Sequence, residues 1–185
     1  MSKICLIKKI NGIKLIKYFY SNDNRGDFSK IFSNDFFYKI GFKKKVAQIN
    51  LSSNIKKGTI RGFHYQKNPK NEQKIIICIR GQILDVLIDI RKQSKNFLKI
   101  YKFNLSEKNN NCIFVPKGYA HGFQSLTNNT QIMYITSELY YKDLDTGINP
   151  FDKYLKFNWP TSVTKFSKRD GLLPFINSSF KGIKI

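Results

Sequence analysis

Short apolar and aromatic runs separated by turn residues are the feature that most restricts how this chain can fold. Between residues 45 and 141 the runs are KVAQINLSS, GTIRGFHYQ, KIIICI, ILDVLIDIR, FLKIYKFNLS, CIFVP, GYAHGFQSL and TQIMYITSELYY. Enrichment in Ile, Val, Phe and Tyr, with alternation in several runs, is typical of β-strands, and helical periodicity is nearly absent. Strands this short and closely spaced predict an all-β sandwich or closed barrel.

Glycine and proline mark the connections between these runs. Arg80-Gly81-Gln82 predicts a tight hairpin, and Pro116-Lys117-Gly118 predicts a turn. From about Asn149 onward we expect the chain to wrap around the barrel, with a short helix near residues 167–172. The sequence has no internal repeat and no linker, so we expect one domain over residues 1–185.

Length and apolar patterning set the class of protein. The chain has 185 residues, enough for a hydrophobic core, and its longest uncharged apolar run, Ile75 to Ile79, is far below the roughly 18–20 residues of a membrane span. Lysines interrupt the N-terminal segment, which predicts no signal peptide. Three widely spaced cysteines indicate free thiols in a reducing compartment, so we expect a cytoplasmic protein.

The formal net charge of +21 permits two interpretations. One is a surface for nucleic acid or another anion. The other is coding bias, since Lys, Asn and Ile are all abundant, as they are in AT-rich coding sequences. Only five of the 33 basic residues are arginine, and the lysines are scattered along the chain. This distribution favours coding bias, and we expect no nucleic-acid partner.

The histidine inventory restricts the chemistry. The chain contains only His64 and His121, and neither lies in an HxH pair. A transition-metal site in such a barrel needs about three imidazoles and a carboxylate, or an equivalent set. The sequence therefore predicts no metal and no cofactor, which leaves acid–base chemistry.

The hexapeptide RGFHYQ, residues 61–66, places charge in a strand. Alternation puts Arg61 with Phe63 on one face and His64 with Gly62 on the other. A β-bulge at Gly62 would turn Arg61 to the face of His64, and such bulges are frequent near active sites. A histidine that only hydrogen-bonds neighbouring backbone remains the alternative.

Six motifs follow one another in a characteristic order: RGFHYQ, EQKIIICIRGQILDVLIDIRKQS, VPKGYAHGFQSL, MYITSELYY, WP and FSKRD. Over roughly residues 20–175 the sequence resembles the dTDP-4-dehydrorhamnose 3,5-epimerase family. The resemblance implies a cupin-type jelly-roll barrel with a few short helices, a strand-sharing homodimer and a nucleotide-diphospho-sugar substrate.

The same resemblance implies four catalytic roles in epimerising a 4-keto-6-deoxyhexose at C3, C5 or both through an enolate. His64 is the implied base, and Asp170 in FSKRD is the carboxylate that orients it. Lys74 lies near the sugar C4 oxygen, where a cation stabilises the enolate. Tyr134 is the implied proton donor to the opposite face.

Eight further positions are implied to bind the nucleotide diphosphate and the sugar. They are Arg25, Gln48, Asn50, Arg61, His121, Tyr140, Asp145 and Lys168. Even spacing along MYITSELYY predicts Tyr140 on the strand face of Tyr134. We interpret Asp85 and Asp89 as structural.

Two departures from the family pattern leave the substrate open. Lys30 stands where the family usually has Glu, and Thr146 stands where Arg usually follows the acidic position of Asp145. A guanosine or cytidine carrier, or inversion at one carbon, therefore remains an alternative. So do a 3,4-ketoisomerase of the same fold and a non-enzymatic module that binds carbohydrate or nucleic acid.

Overall fold

The computed structural model describes residues 3–185, which form thirteen strands, two short α-helices and one 3₁₀ turn. The strands are β1 (Ile4–Ile10), β2 (Ile13–Tyr18), β3 (Tyr20–Asp23), β4 (Gly26–Ser29), β5 (Gln48–Asn54), β6 (Ile60–Gln66), β7 (Lys74–Arg80), β8 (Gln82–Asp89), β9 (Ile100–Ser106), β10 (Asn111–Val115), β11 (Tyr119–Ser125), β12 (Thr130–Thr136) and β13 (Asp145–Gly147). The helical elements are α1 (Asn34–Lys39), the 3₁₀ turn (Lys153–Leu155) and α2 (Lys168–Gly171).

Two antiparallel sheets carry eleven of these strands. The six-stranded sheet has the order β1-β2-β10-β7-β12-β5, and the five-stranded sheet has the order β13-β6-β11-β8-β9. Strands β3 and β4 form a separate two-stranded hairpin. The predicted predominance of β-structure, with a few short helices, is confirmed.

A buried apolar cluster between the sheets joins them. Ile76 of β7 and Ile132 of β12 come from the six-stranded sheet, whereas Leu87 of β8 and Phe123 of β11 come from the five-stranded sheet. All four are at most 1% exposed. Because apolar area removed from water is the dominant favourable contribution to folding, this layer holds the two sheets face to face.

The hairpin predicted at Arg80-Gly81-Gln82 is wrong. β7 pairs with β10 and β12 in one sheet, while β8 pairs with β9 and β11 in the other, so the chain crosses between sheets at Gly81. Gly81 has a φ of +77°, and a Cβ there would lie 2.4 Å from Thr127 Oγ1. Arg80-Gly81-Gln82 does form a tight bend, but the two strands that it connects do not pair with each other.

Separate elements cover the two outer sheet faces. Phe37 of α1 packs with Ile77 and Phe114 on the six-stranded sheet, within the first 44 residues, where the sequence patterns had predicted no element. The segment after β13 covers the five-stranded sheet, where Trp159 stacks on Phe63 with ring centroids 5.3 Å apart. The predicted wrapping segment and the short helix near residue 168 are both confirmed.

No helix in residues 3–185 has the length and apolar character needed to cross a bilayer. Cys5, Cys78 and Cys112 are all free thiols, and the last two are buried.

Replacing Phe37 with alanine tests whether α1 stabilises the sandwich. Phe37 is completely buried, so we expect the free energy of unfolding to fall by about 3–5 kcal/mol in urea denaturation. Tyr38, the next residue of α1, is 52% exposed and provides the matched control. Tyr38→Ala should cost less than about 1 kcal/mol. Equal losses for the two variants would show that α1 does not pack as described.

Candidate active site

A cavity of about 390 Å³ opens between the two sheets. Its lining side chains come from β5, β7 and β12 of the six-stranded sheet and from β6, β11 and β13 of the five-stranded sheet. The segment before β7, the loop around Tyr140 and α2 complete the lining. Most of the residues that line it carry polar or charged side chains. The cavity is therefore a ligand-sized concavity with many groups that can orient a ligand.

A bulge in β6 brings Arg61 and His64 to the same side. His121 of β11 pairs with His64, and Phe123 pairs with Arg61, so two steps on β11 oppose three steps on β6. The extra residue breaks strict alternation, and both Arg61 and His64 line the cavity. This irregularity at Gly62 is the bulge that the sequence analysis named as the condition for turning Arg61 to the face of His64.

Glycine is required at position 62. Its φ is +110°, and a Cβ there would lie 2.5 Å from the His121 carbonyl oxygen and 2.6 Å from the Gly122 Cα. The Gly62 amide also donates a 3.3 Å hydrogen bond to Asp170 Oδ2. A larger residue at position 62 would therefore be strained by the positive φ and would collide with β11, and it would disturb the hydrogen bond to Asp170.

His64 is held by Asp170. The two atoms joined are His64 Nε2 and Asp170 Oδ1, 2.7 Å apart, and Asp170 is 3% exposed. Burial would raise the pKa of Asp170, but contacts with the His64 ring, the Gly62 amide and Ser167 outweigh burial and lower it. The carboxylate is therefore ionised at neutral pH, and Nδ1 is the ring nitrogen left for proton transfer.

His121 has a carboxylate partner of its own. Its Nε2 lies 2.7 Å from Asp85 Oδ2, and Asp85 is fully buried on β8. The second oxygen, Oδ1, is buried without a hydrogen-bond partner in the described residues. Asp85, which we interpreted from the sequence as structural, therefore contacts the site directly, because its carboxylate orients an imidazole of the cavity wall.

Tyr134 of β12 faces the cavity across from these histidines. Its ring meets that of His121 edge to face, with centroids 6.0 Å apart. Burial raises the pKa of Tyr134 and the nearby Asp85 carboxylate adds to the rise, whereas Arg61 opposes it. The phenol therefore keeps its proton at neutral pH and is available as an acid.

Lys74, at the start of β7, reaches the same cavity. Its Nζ lies 3.0 Å from Glu72 Oε1, and the two side chains are 16% and 12% exposed. The site therefore contains a largely desolvated ammonium that is paired with one carboxylate.

Six of the predicted binding residues line the cavity: Gln48, Asn50, Arg61, His121, Tyr140 and Asp145. One expectation about their placement is wrong. β12 ends at Thr136, so Tyr140 lies in the following loop and not on the strand face of Tyr134. The Tyr140 amide donates a 3.0 Å hydrogen bond to Gln48 Oε1, which holds this loop against β5.

Two predicted binding residues lie outside the cavity lining. Arg25 is in the β3–β4 turn, where its side chain is 85% exposed and pairs with Asp23 at 2.6 Å. Lys168 is exposed at the start of α2. The next residue, Arg169, lines the cavity instead and forms an ion pair with Asp145.

Six lining residues were not singled out from the sequence: Ser52, Gln66, Glu72, Phe123, Thr136 and Arg169. Alternation was the available signal for the first five. Each lies two positions from a predicted site residue, and residues two apart share a strand face. For Arg169 no such signal exists, because α2 is a single turn.

The donor groups of the cavity suit proton transfer. Among residues 3–185 no cluster of three His, Cys, Asp or Glu side chains is arranged to hold a metal ion. The site offers two imidazoles that are each oriented by a carboxylate, one protonated phenol and one ammonium. This β-sandwich with an acid–base site has the architecture of an isomerase that moves protons on carbon.

Comparison with known proteins places the chain within one family. The sequence profile of the family described as dTDP-4-dehydrorhamnose 3,5-epimerase matches residues 8–178. A relative from Shigella flexneri with that name is 36% identical over 149 residues, which are 80% of this chain and 82% of the relative. The protein belongs to the dTDP-4-dehydrorhamnose 3,5-epimerase family.

Solved structures agree with this assignment. The epimerase of Bacillus anthracis Ames, crystallised with TDP and pyrophosphate, is 36% identical, with a TM-score of 0.89 over 94% of this chain and 100% of that one. The Legionella pneumophila enzyme in complex with dTDP-4-keto-L-rhamnose is 26% identical, with a TM-score of 0.90 over 99% of both chains.

Substituting Gly62 with alanine tests the close packing under the site. The reference is Gly26→Ala, because Gly26 has a similar φ of +121° but nothing within 4 Å of an added Cβ. Backbone strain alone should cost Gly26→Ala about 1–3 kcal/mol. Overpacking should make Gly62→Ala worse than Gly26→Ala by about 1–3 kcal/mol in thermal or urea unfolding. Indistinguishable losses would contradict the contact of Gly62 with β11.

Proposed function

We propose that the protein is an epimerase that inverts C3 and C5 of a dTDP-linked 4-keto-6-deoxyhexose. The observation that carries this proposal is the convergence of the His64–Asp170 pair, the Tyr134 phenol and the Lys74 ammonium on one cavity. These groups supply a base, an acid and an oxyanion stabiliser, which are the three components that epimerisation next to a ketone requires.

The chemistry begins at a carbon beside the C4 ketone. His64 takes the proton, the C–H electron pair becomes the carbon–carbon double bond of an enolate, and the carbonyl electron pair moves onto the C4 oxygen. Lys74 stabilises that negative oxygen. Tyr134 then delivers a proton to the other face of the carbon, and the ketone re-forms with inverted configuration. His64 then releases its proton to solvent and Tyr134 regains one from solvent, which restores both groups. Repetition at the second flanking carbon completes a reaction with no net oxidation or reduction.

Asp170 orients and stabilises His64 during this cycle. A buried, ionised carboxylate fixes the orientation of the ring, and it stabilises the imidazolium that forms when the base takes a proton. The lowered pKa of Asp170 keeps it in the required form at neutral pH.

Tyr134 is suited to be the acid because it faces the cavity and its phenol is protonated at neutral pH, a state that burial favours further by raising its pKa. A phenol that stays protonated donates only to a strong base such as a carbanion. It therefore does not compete with His64 for the proton that is abstracted.

The charge of the cavity explains why a second subunit is expected. A nucleoside diphosphate brings about two negative charges, and the cationic side chains of the lining are Arg61, Lys74 and Arg169. Glu72 and Asp145 already neutralise two of these three cations. One chain therefore supplies little uncompensated positive charge. Arg25 pairs with Asp23, but both side chains are exposed, at 85% and 50%, and such a surface ion pair is weak enough for a phosphate to replace the aspartate.

We propose that the protein is a homodimer of jelly-roll barrels in which Arg25 completes the site of the partner. The β3–β4 hairpin exposes 66% of Phe28, and the edge strand β5 exposes 60% of both Ile49 and Leu51. Exposed apolar side chains on an edge strand and on an isolated hairpin are unfavourable unless another chain covers them.

Solvent deuterium incorporation tests the epimerase. With dTDP-4-keto-6-deoxyglucose in D₂O, NMR should show deuterium at both C3 and C5. His64→Asn should slow exchange at least about 100-fold because the base is lost. Tyr134→Phe should retain proton abstraction and exchange but slow formation of the inverted product by about 10–100-fold. Tyr154→Phe, at a residue 66% exposed, is the control and should match the wild type.

Each other outcome identifies a rival. Deuterium at C3 alone indicates a mono-epimerase. Movement of the ketone to C3 indicates a ketoisomerase. Absence of exchange with dTDP-, GDP- and CDP-linked 4-keto sugars, together with salt-sensitive binding, indicates a binding module.

Subunit complementation tests the role of Arg25. Arg25→Ala and His64→Asn should each be impaired as homodimers. After mixed refolding, half of the sites in each heterodimer combine a wild-type His64 with a wild-type Arg25. We expect activity in about a quarter of all sites at statistical mixing. A mixture that is no more active than its components would contradict delivery of Arg25 by the partner.

A further inference from the structure

Glu72 is a charged residue of the cavity to which the reaction scheme above assigns no task. Of the carboxylates in the lining, Asp145 is engaged by Arg169, which also lines the cavity. Glu72 instead pairs with Lys74, the ammonium that is assigned to the enolate oxygen. The two side chains are 12% and 16% exposed, so most of the pair is removed from water while both members still reach the cavity.

The backbone between the two residues is fixed from both sides. The Gln73 amide donates a 2.8 Å hydrogen bond to Ser137 Oγ, and the Ser137 amide donates a 3.1 Å hydrogen bond to the Gln73 carbonyl. The Gln73 side chain donates a 2.9 Å hydrogen bond to the Gly41 carbonyl. Residues two apart on an extended backbone point the same way, so this anchoring sends Glu72 and Lys74 to the cavity together.

We propose that Glu72 is a positioning residue that holds the Lys74 ammonium at the point where the C4 oxygen becomes negative. This inference rests on the proposed epimerase function. A lysine side chain is flexible, and a largely desolvated ammonium without a partner would turn toward water. The carboxylate removes that freedom before substrate arrives, so that stabilisation of the enolate requires no reorganisation. Glu72 itself takes no part in proton or electron transfer.

Steady-state kinetics of Glu72→Gln provide the first test. The amide preserves shape and removes the charge, so kcat should fall about tenfold or more, while Kd for dTDP stays within about twofold. Glu138→Gln is the matched control, because Glu138 is also 12% exposed and pairs with Lys44 outside the cavity lining. Its kcat should stay within about twofold of the wild type. A wild-type kcat for Glu72→Gln would overturn the proposal.

A double-mutant cycle with Lys74→Met separates positioning from an independent role. If Glu72 acts through Lys74, adding Glu72→Gln to Lys74→Met should change the rate of deuterium exchange by less than about twofold. A further loss of about tenfold in that background would assign Glu72 a direct role and overturn the positioning proposal. Thermal unfolding of each variant identifies any that fail to fold.

A readout that does not depend on turnover completes the test. Trace acetylation of the substrate-free protein, followed by peptide mass spectrometry, reports the reactivity of Lys74 relative to the exposed Lys156. An ion-paired ammonium reacts slowly, so Glu72→Gln should label Lys74 at least about threefold faster. Equal labelling would overturn the proposal even if the enzyme turns over. If the wild type exchanges neither C3 nor C5, the epimerase function fails, while the labelling still decides whether Glu72 constrains Lys74.

Discussion

The hydrogen bond between His64 and Asp170 is the contact on which the site depends. It joins residues 106 positions apart, one in the five-stranded sheet and one in the segment that wraps its outer face. A second oxygen of the same carboxylate accepts from the Gly62 amide, so the aspartate also holds the bulge that turns Arg61 inward. One buried charge thereby orients the base, shapes the strand beneath it and ties the C-terminal segment to the sandwich.

The charged groups of the cavity are arranged in pairs, and in each pair at least one member is largely shielded from water. Each histidine has one carboxylate, Lys74 has Glu72, and Arg169 has Asp145. Buried charges are tolerated when they are paired, because unpaired ones lose their hydration without compensation. The large positive charge of the chain is therefore not concentrated at the site, because pairing leaves the cavity with almost no excess of cations over anions. In this protein the net charge of the chain therefore does not indicate how the cavity would bind an anionic ligand.

Sequence patterns predicted the strands between residues 45 and 141 well. A strand with one buried face needs apolar side chains at alternate positions, and this requirement is visible in the sequence of each run. They failed at Gly81, where turn residues are compatible with either a hairpin or a crossover between sheets, and only the identity of the pairing partners distinguishes the two. They also failed for Tyr140 and Arg169. Tyr140 lies beyond the end of β12. Arg169 lies on a single helical turn, next to Lys168, which had been expected to bind the substrate.

The sequence by itself determined the class of fold, the family and the presence of a histidine, a lysine and a tyrosine able to perform proton transfer, since these follow from local composition and from motif order. Only the tertiary structure decided that β7 and β8 belong to opposite sheets, that the bulge places Arg61 beside His64, and that Glu72 faces Lys74. The physical reason is that these relations depend on which distant segments pack against each other. A local pattern fixes the face on which a side chain lies but not the group that it meets there.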